Sequence, residues 1–253
     1  MATDDRKAWQ RPGFIVAAAV IVLVLALGVA AMIRSMGQSE ADPTPTPTPT
    51  ATSSEPTTAT TTAEPTEEPS AADASTCGLE SVELEGGLSA APETTWDYVG
   101  VIAMPSVAGQ GPGQTSAEGL RTCYAHTPTG AVLAYANFLT QTNSADLRAA
   151  AFDYFTAQGA GRDAAVAGAG ELAAGGSDLS IAGFRVLSYE GDEALVDVAV
   201  QVVAQGQTAF ASSRANLLWQ DGDWRWLPAE DGSEEYEVVV IPSVADYIAW
   251  TAS

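Results

Sequence analysis

Residues 181–227 read IAGFRVLSYEGDEALVDVAVQVVAQGQTAFASSRANLLWQDGDWRWL. Within this stretch Ala194, Val196, Val198, Val200, Val202 and Ala204 recur at every second position. That period places side chains on one face of a β-strand. Glu190-Gly-Asp192 separates this run from an earlier one over 181–189 and reads as a tight turn. Thr208–Gln220 is a third strand, and Asp221-Gly222, the strongest short hairpin signal in the chain, leads into Asp223–Leu227. A further strand is expected over Tyr236–Ile241, closed by Pro242 and followed by a tail ending near Trp250.

Upstream the period changes. Thr127 is placed to cap a helix with Pro128 at its first position, and Val132, Leu133, Tyr135, Ala136 and Leu139 supply an apolar face. Ser144 is expected to cap a second helix, with Leu147, Ala151, Phe152 and Phe155 at helical spacing. Arg162–Ala174 reads as a short third helix, weakened by its glycines. Before them, Trp96–Met104 reads as one strand and Pro105–Gly113 as a loop that lacks the Lys-Ser/Thr ending of a phosphate-binding loop. Helices grouped first and strands after them define an α+β class, two or three helices packed on a curved antiparallel sheet.

The N-terminal third is different in kind. Residues 14–34 are expected to form a transmembrane helix, since Phe14–Ile33 carries no charge and twenty residues of helix span about 30 Å of hydrocarbon. Arg6, Lys7 and Arg11 precede it, while the chain beyond Arg34 turns acidic. The positive-inside rule then puts residues 1–13 in the cytoplasm as a short tail and the long C-terminal part outside the cell membrane. The apolar run is longer than the core of a cleaved signal peptide, the alternative reading. Residues 35–76 are a Thr/Pro-rich linker, including DPTPTPTPTATSSEPTTATTTAEP from Asp42. Such a segment cannot bury enough apolar surface to offset its ordering entropy and favours extended polyproline II. It serves as a spacer and is also of the composition that carries O-linked sugars.

Residues 77–253 form the extracytoplasmic domain. Cys77 and Cys123, the two cysteines of the chain, are expected to form one disulfide on the oxidising side of the membrane, with a pair of reactive thiols as the alternative. Among 253 residues there are 10 Lys+Arg against 32 Asp+Glu, a net charge of −22, and a single His. Phosphate backbones need a basic face, so direct nucleic-acid binding is excluded as a function class. One imidazole and two cysteines leave no zinc-cluster spacing, and no cofactor motif is present. His126 is the one imidazole available as a general base, and no triad spacing accompanies it. Asp197 lies on the strand face opposite the valines, with Arg185 and Arg214 on neighbouring strands. Asp197, Arg185, Arg214 and His126 are therefore the candidate pocket residues, set against an ordinary ion pair on a solvated face and a polar loop histidine. Trp219, Trp224 and Trp226 are candidates for stacking on a sugar or peptide and, alternatively, for core packing. The acidic run Glu230–Glu237 reads as a solvated loop.

The order of helices followed by a meander ending Leu217-Leu-Trp-Gln-Asp-Gly-Asp-Trp-Arg-Trp226 resembles the nuclear transport factor 2-like (cystatin-like) cone fold. Cys123-Tyr-Ala-His-Thr-Pro-Thr-Gly-Ala-Val-Leu-Ala-Tyr-Ala-Asn137, with Trp96, Pro105, Gly111 and Pro112, is similar to an uncharacterised family of actinobacterial single-pass membrane proteins whose outer domain opens at a cysteine. In layout the chain also resembles the VirB8-type components of type IV secretion and conjugation machines. These resemblances imply a membrane-anchored, non-enzymatic interaction module with other membrane or envelope proteins as partners. A small-ligand-binding or enzymatic cone domain and a cell-wall-directed binding protein are the alternatives. The charge balance yields a first prediction: the full-length chain leaves duplex DNA unshifted in a retardation assay at low salt, and a tight shifted band would overturn the exclusion.

Overall fold

The structure is a computed structural model and describes residues 73–99, 101–169, 178–204 and 206–252. The expected transmembrane helix and nearly all of the expected linker lie outside the described residues. Among the described residues no helix is long and apolar enough to cross a membrane.

The alternation of residues 194–200 is realised in one central strand of a six-stranded sheet. Strands β5 (Asp178–Glu190), β6 (Glu193–Ala204), β7 (Gln207–Gln220) and β8 (Asp223–Trp226) run as an antiparallel meander. β10 (Ile248–Ala249) returns to the free edge of β5, and β9 (Val239–Ile241) pairs with β7 at Phe210–Ser212. Val198 stands opposite Phe184 and Ser213, while its neighbour Asp197 stands opposite Arg185 and Arg214. The two registers therefore sort the sheet into an apolar inner face and a polar outer one. Asp221 and Gly222 both have positive φ, 57° and 74°, as a two-residue hairpin turn matching the twist of its strands requires.

Three helices, α1 (Pro128–Asn143), α2 (Arg148–Phe155) and α3 (Arg162–Ala169), complete the α+β architecture. Thr127 caps α1, its hydroxyl accepting the Gly130 N–H at 2.9 Å, with Pro128 at the first position. α1 lies between the sheet and the hairpin of β1 (Thr95–Val99) and β2 (Ile102–Ser106) and is buried on nearly every side. Its polar positions are consequently spent inside. Asn137 Nδ2 donates to the Pro105 carbonyl, and Gln141 bonds both the N–H and the carbonyl of Arg121 in β4 (Arg121–Thr122), which pairs with β3 (Gln114–Thr115). Val132, Leu133, Tyr135, Phe155, Phe184, Val196, Val198, Trp224 and Trp226 form the continuous core beneath it.

Two expectations need correction. The run Trp96–Met104 is a hairpin and not one strand, Val99 pairing with Ile102 across a two-residue connection whose first residue is glycine in the sequence. Ser144 does not cap α2: it closes α1, its N–H donating to the Gln141 carbonyl, and α2 starts at Arg148 without a side-chain cap. Residues 170–174 of the expected third helix lie outside the described residues.

Cys77 and Cys123 form the disulfide, with Cα atoms 6.2 Å apart. Gly113 passes so close that a Cβ there would stand 2.4 Å from the Cys77 sulfur, so only glycine fits. Just before the bridge, Ser75 is buried and its hydroxyl lies 3.0 Å from Cys123 Sγ, while the Thr76 N–H donates to Gly222. Closing a loop with a sequence separation of 46 stabilises by about 4 kcal/mol in the chain-entropy account. The double variant Cys77→Ala/Cys123→Ala is expected to lose about 2–4 kcal/mol in urea unfolding. An unchanged midpoint would mean that the bridge constrains nothing.

Candidate functional site

The polar outer face centres on Asp197. Its carboxylate has no exposed surface and accepts four side chains: Arg185 Nη2 at 2.6 Å, Arg214 Nη2 at 3.3 Å, Ser212 Oγ at 2.7 Å and the Tyr247 hydroxyl at 3.2 Å. Both guanidiniums converge on the same oxygen, Oδ2. Pleat and register explain the gathering, since Arg185 and Arg214 flank Asp197 on the two strands beside it and Ser212 is two residues along β7. Tyr247 arrives from the segment leading into β10 and lays its ring against Arg185, whose Cζ is 4.2 Å from the ring centroid. Burial works against the Asp197 charge, but the hydrogen bonds from Arg185, Ser212 and Arg214 outweigh it and hold the carboxyl below its ordinary pKa.

The fourth candidate is elsewhere. His126 is wholly buried, with Trp219 stacked on its face at 4.0 Å and Trp224 edge-on at 5.6 Å. Nδ1 lies 3.3 Å from the Asp73 carbonyl, and Nε2 lies 3.2 Å from that of Gly191 in the β5–β6 turn. The structure thus brings Asp197, Arg185 and Arg214 together on the outer face and sets His126 under the sheet end, facing two backbone carbonyls. The carboxylates of Asp73 and Asp192 also approach it, and the three groups offer donor atoms within 4.8 Å of one another. Asp73 Oδ1 lies 3.8 Å from Nδ1, however, while Asp192 Oδ1 lies 3.3 Å from Nε2. An ion held in the ring plane at one nitrogen turns away from the carboxylate at the other, so the arrangement suits hydrogen bonding better than shared coordination.

Sequence reasoning missed a second buried carboxylate with four donor residues around it. Asp223 is fully buried and accepts the N–H groups of Cys123, Tyr124 and Trp224 and the hydroxyl of Tyr154. Burial raises its carboxyl above the ordinary range, against the lowering effect of those bonds and of Arg225. Burial and the nearby Asp223 push Tyr154 up to about 12. In the sequence Asp223 is merely the residue after a turn, and three of its four partners lie 69 to 100 positions away. Ser212 was legible in principle from its shared parity with Arg214, whereas no sequence signal marks Tyr247.

At the surface, Val238, Val239 and Val240 are exposed along and just before the edge strand β9, directly after the acidic run 230–237, which is itself largely exposed. Trp224 and Trp226 lie in the core, and Trp219 packs against it. Residues 54–249 match the family described as "Domain of unknown function (DUF8175)", and the chain belongs to that family. No curated protein and no solved structure matches it.

Asp197 generates the next prediction. Removing its charge leaves two part-buried guanidiniums facing each other, so Asp197→Asn is expected to cost about 3 kcal/mol, the low end for a broken buried pair because each arginine is a third exposed. A carboxyl with a lowered folded pKa stabilises above its unfolded value and loses that contribution as the pH falls through the folded one. The difference between wild type and variant should therefore shrink once the pH drops below about 4. A difference constant from pH 7 to 2 in urea midpoints would refute the charge-pairing account.

Proposed function

We propose that this chain is a non-enzymatic interaction module, held outside the cell membrane by residues 14–34 and displaced from it by the part of the linker 35–76 that precedes Asp73. In this reading the helices and curved sheet form a cone-like domain of the nuclear transport factor 2-like type, and the module is an accessory or scaffold part of a conjugation or type IV secretion-like assembly. The observation that carries it is the exposed Val238–Val240 segment at an open sheet edge beside a run of acids. An unpaired apolar edge is a liability that isolated domains normally blunt, and a partner strand satisfies its free main-chain groups. The inward-facing His126 and the Trp224 and Trp226 side chains in the core lend support, because the groups suited to catalysis or to sugar stacking are engaged in packing.

The test is site-specific photo-crosslinking in native membranes, with the reactive residue at Val239 of the full-length chain. Discrete adducts with integral membrane or envelope proteins, lost in a Val240→Asp variant, are expected. A chain that fractionates as a soluble protein, or that yields no adduct from Val239, would sink the reading.

A further inference from the structure

The arginines of the domain fall into two groups. Arg121, Arg148, Arg162 and Arg225 each donate to a main-chain carbonyl, of Met104, Thr142, Thr156 and Tyr154 respectively. They act as struts that tie loops and helices to the core. Arg185 and Arg214 donate to no main-chain carbonyl among the described residues. Both reach protein acceptors through Nη2 alone and share a single carboxylate oxygen of Asp197. Their Nε atoms are shielded from solvent and have no hydrogen-bond partner. Among the described residues one carboxylate, that of Asp197, is the ion-pair partner of both guanidiniums, on a chain whose net charge is −22.

An open depression of about 370 Å³ adjoins this group. Leu88, Leu187 and Ile248 give it apolar walls, Arg185 and the Tyr247 ring stand at one side, and Asp246 also borders it. Leu187 is exposed and faces the depression because, two residues along β5 from Arg185, it shares that residue's face of the strand. The same strand thus presents a guanidinium and an apolar wall side by side.

We infer that this depression is a binding site for a small organic oxyanion, a carboxylate or phosphate monoester on an apolar body, whose head is taken by Arg185 and whose charge is balanced by the Arg185–Arg214 pair. Asp197 is the positioning residue that fixes the two guanidiniums through one shared oxygen. Guanidinium donors in a fixed fork favour such oxygens by paired, charge-assisted hydrogen bonds. Asp246 at the border disfavours a second negative charge on the far end of the ligand. The inference is independent of the interaction-module reading, since the depression flanks β5 and β10 while the proposed partner edge is β9.

The test uses the full-length chain in phosphatidylcholine nanodiscs, titrated calorimetrically with hexyl phosphate, hexanoate and hexan-1-ol. Both anions are expected to bind and the alcohol to bind at least about tenfold more weakly. Tighter binding of hexyl phosphate identifies a phosphate ester as the ligand class, and tighter binding of hexanoate identifies a carboxylate. Arg185→Gln should weaken the anions about tenfold. Because that variant removes a partner of Asp197, Leu187→Glu is the second probe: it alters an exposed position, keeps all four partners of Asp197 in place, and should weaken the anions by a similar factor through repulsion at the wall and competition for Arg185. Equal binding of the alcohol, anion binding unchanged in Leu187→Glu, or no anion binding up to about 10 mM would each overturn the inference.

Discussion

The carboxylate of Asp223 joins parts of the chain that are otherwise remote. Through the N–H groups of Cys123 and Tyr124 it holds the segment that enters α1 and carries the disulfide. Through its own strand it belongs to the hairpin at the end of the meander, and through the Tyr154 hydroxyl it fastens α2. A buried charge in this position is tolerable only because four donors surround it, and each donor comes from an element whose placement depends on the others. Trp224, the next residue, donates its indole N–H to the Ala125 carbonyl, so the same strand is pinned twice to the same segment. The close fit at Gly113 belongs to this junction, because the disulfide lies against it.

The outer face follows the opposite logic. Around Asp223 the three main-chain donors are enclosed and only the Tyr154 hydroxyl comes from a half-buried side chain, so the group serves as an internal joint. Around Asp197 the carboxylate is enclosed but its two arginines reach solvent, which leaves donors and charge at the surface. The difference follows from the sheet having helices, among the described residues, on one side only. Residues of one parity go under α1 and must be apolar or saturated, while those of the other parity are covered by the returning segment that carries Tyr247 and β10 and, at Arg214 and Asn216, by Tyr236 and Glu235. A polar group there can be buried by its neighbours without being closed off from a ligand.

Much of this was legible in the chain. The meander was readable because alternation in β6 is sustained and Asp221-Gly222 fixes a turn type, so strand direction and register followed. The Thr127-Pro128 start of α1 was readable because capping is local chemistry between residues three apart. The reading failed at 96–104, where a run rich in aromatic and β-branched residues hides a hairpin, and at Ser144, whose side-chain type suits the start of a helix although the backbone there ends one. In both places the local signal admits two geometries, and tertiary packing selects between them. Within the candidate pocket, parity alone put Asp197 beside Arg185 and Arg214. Nothing local could report that His126 stacks beneath Trp219 and is spent between two carbonyls.

The sequence by itself determined the class of the domain, the pairing of its central strands, the capping of its longest helix and the sign of its field. All of these rest on periodicity, turn chemistry or charge counts, which act over a few residues or over the whole chain. The tertiary structure alone decided which polar side chains became joints and which were left facing outward. That outcome depends on contacts between residues about fifty to a hundred positions apart, such as Asp223 with Cys123 and Asp197 with Tyr247. Burial sets the energy of such contacts, and burial is a property of the packed whole.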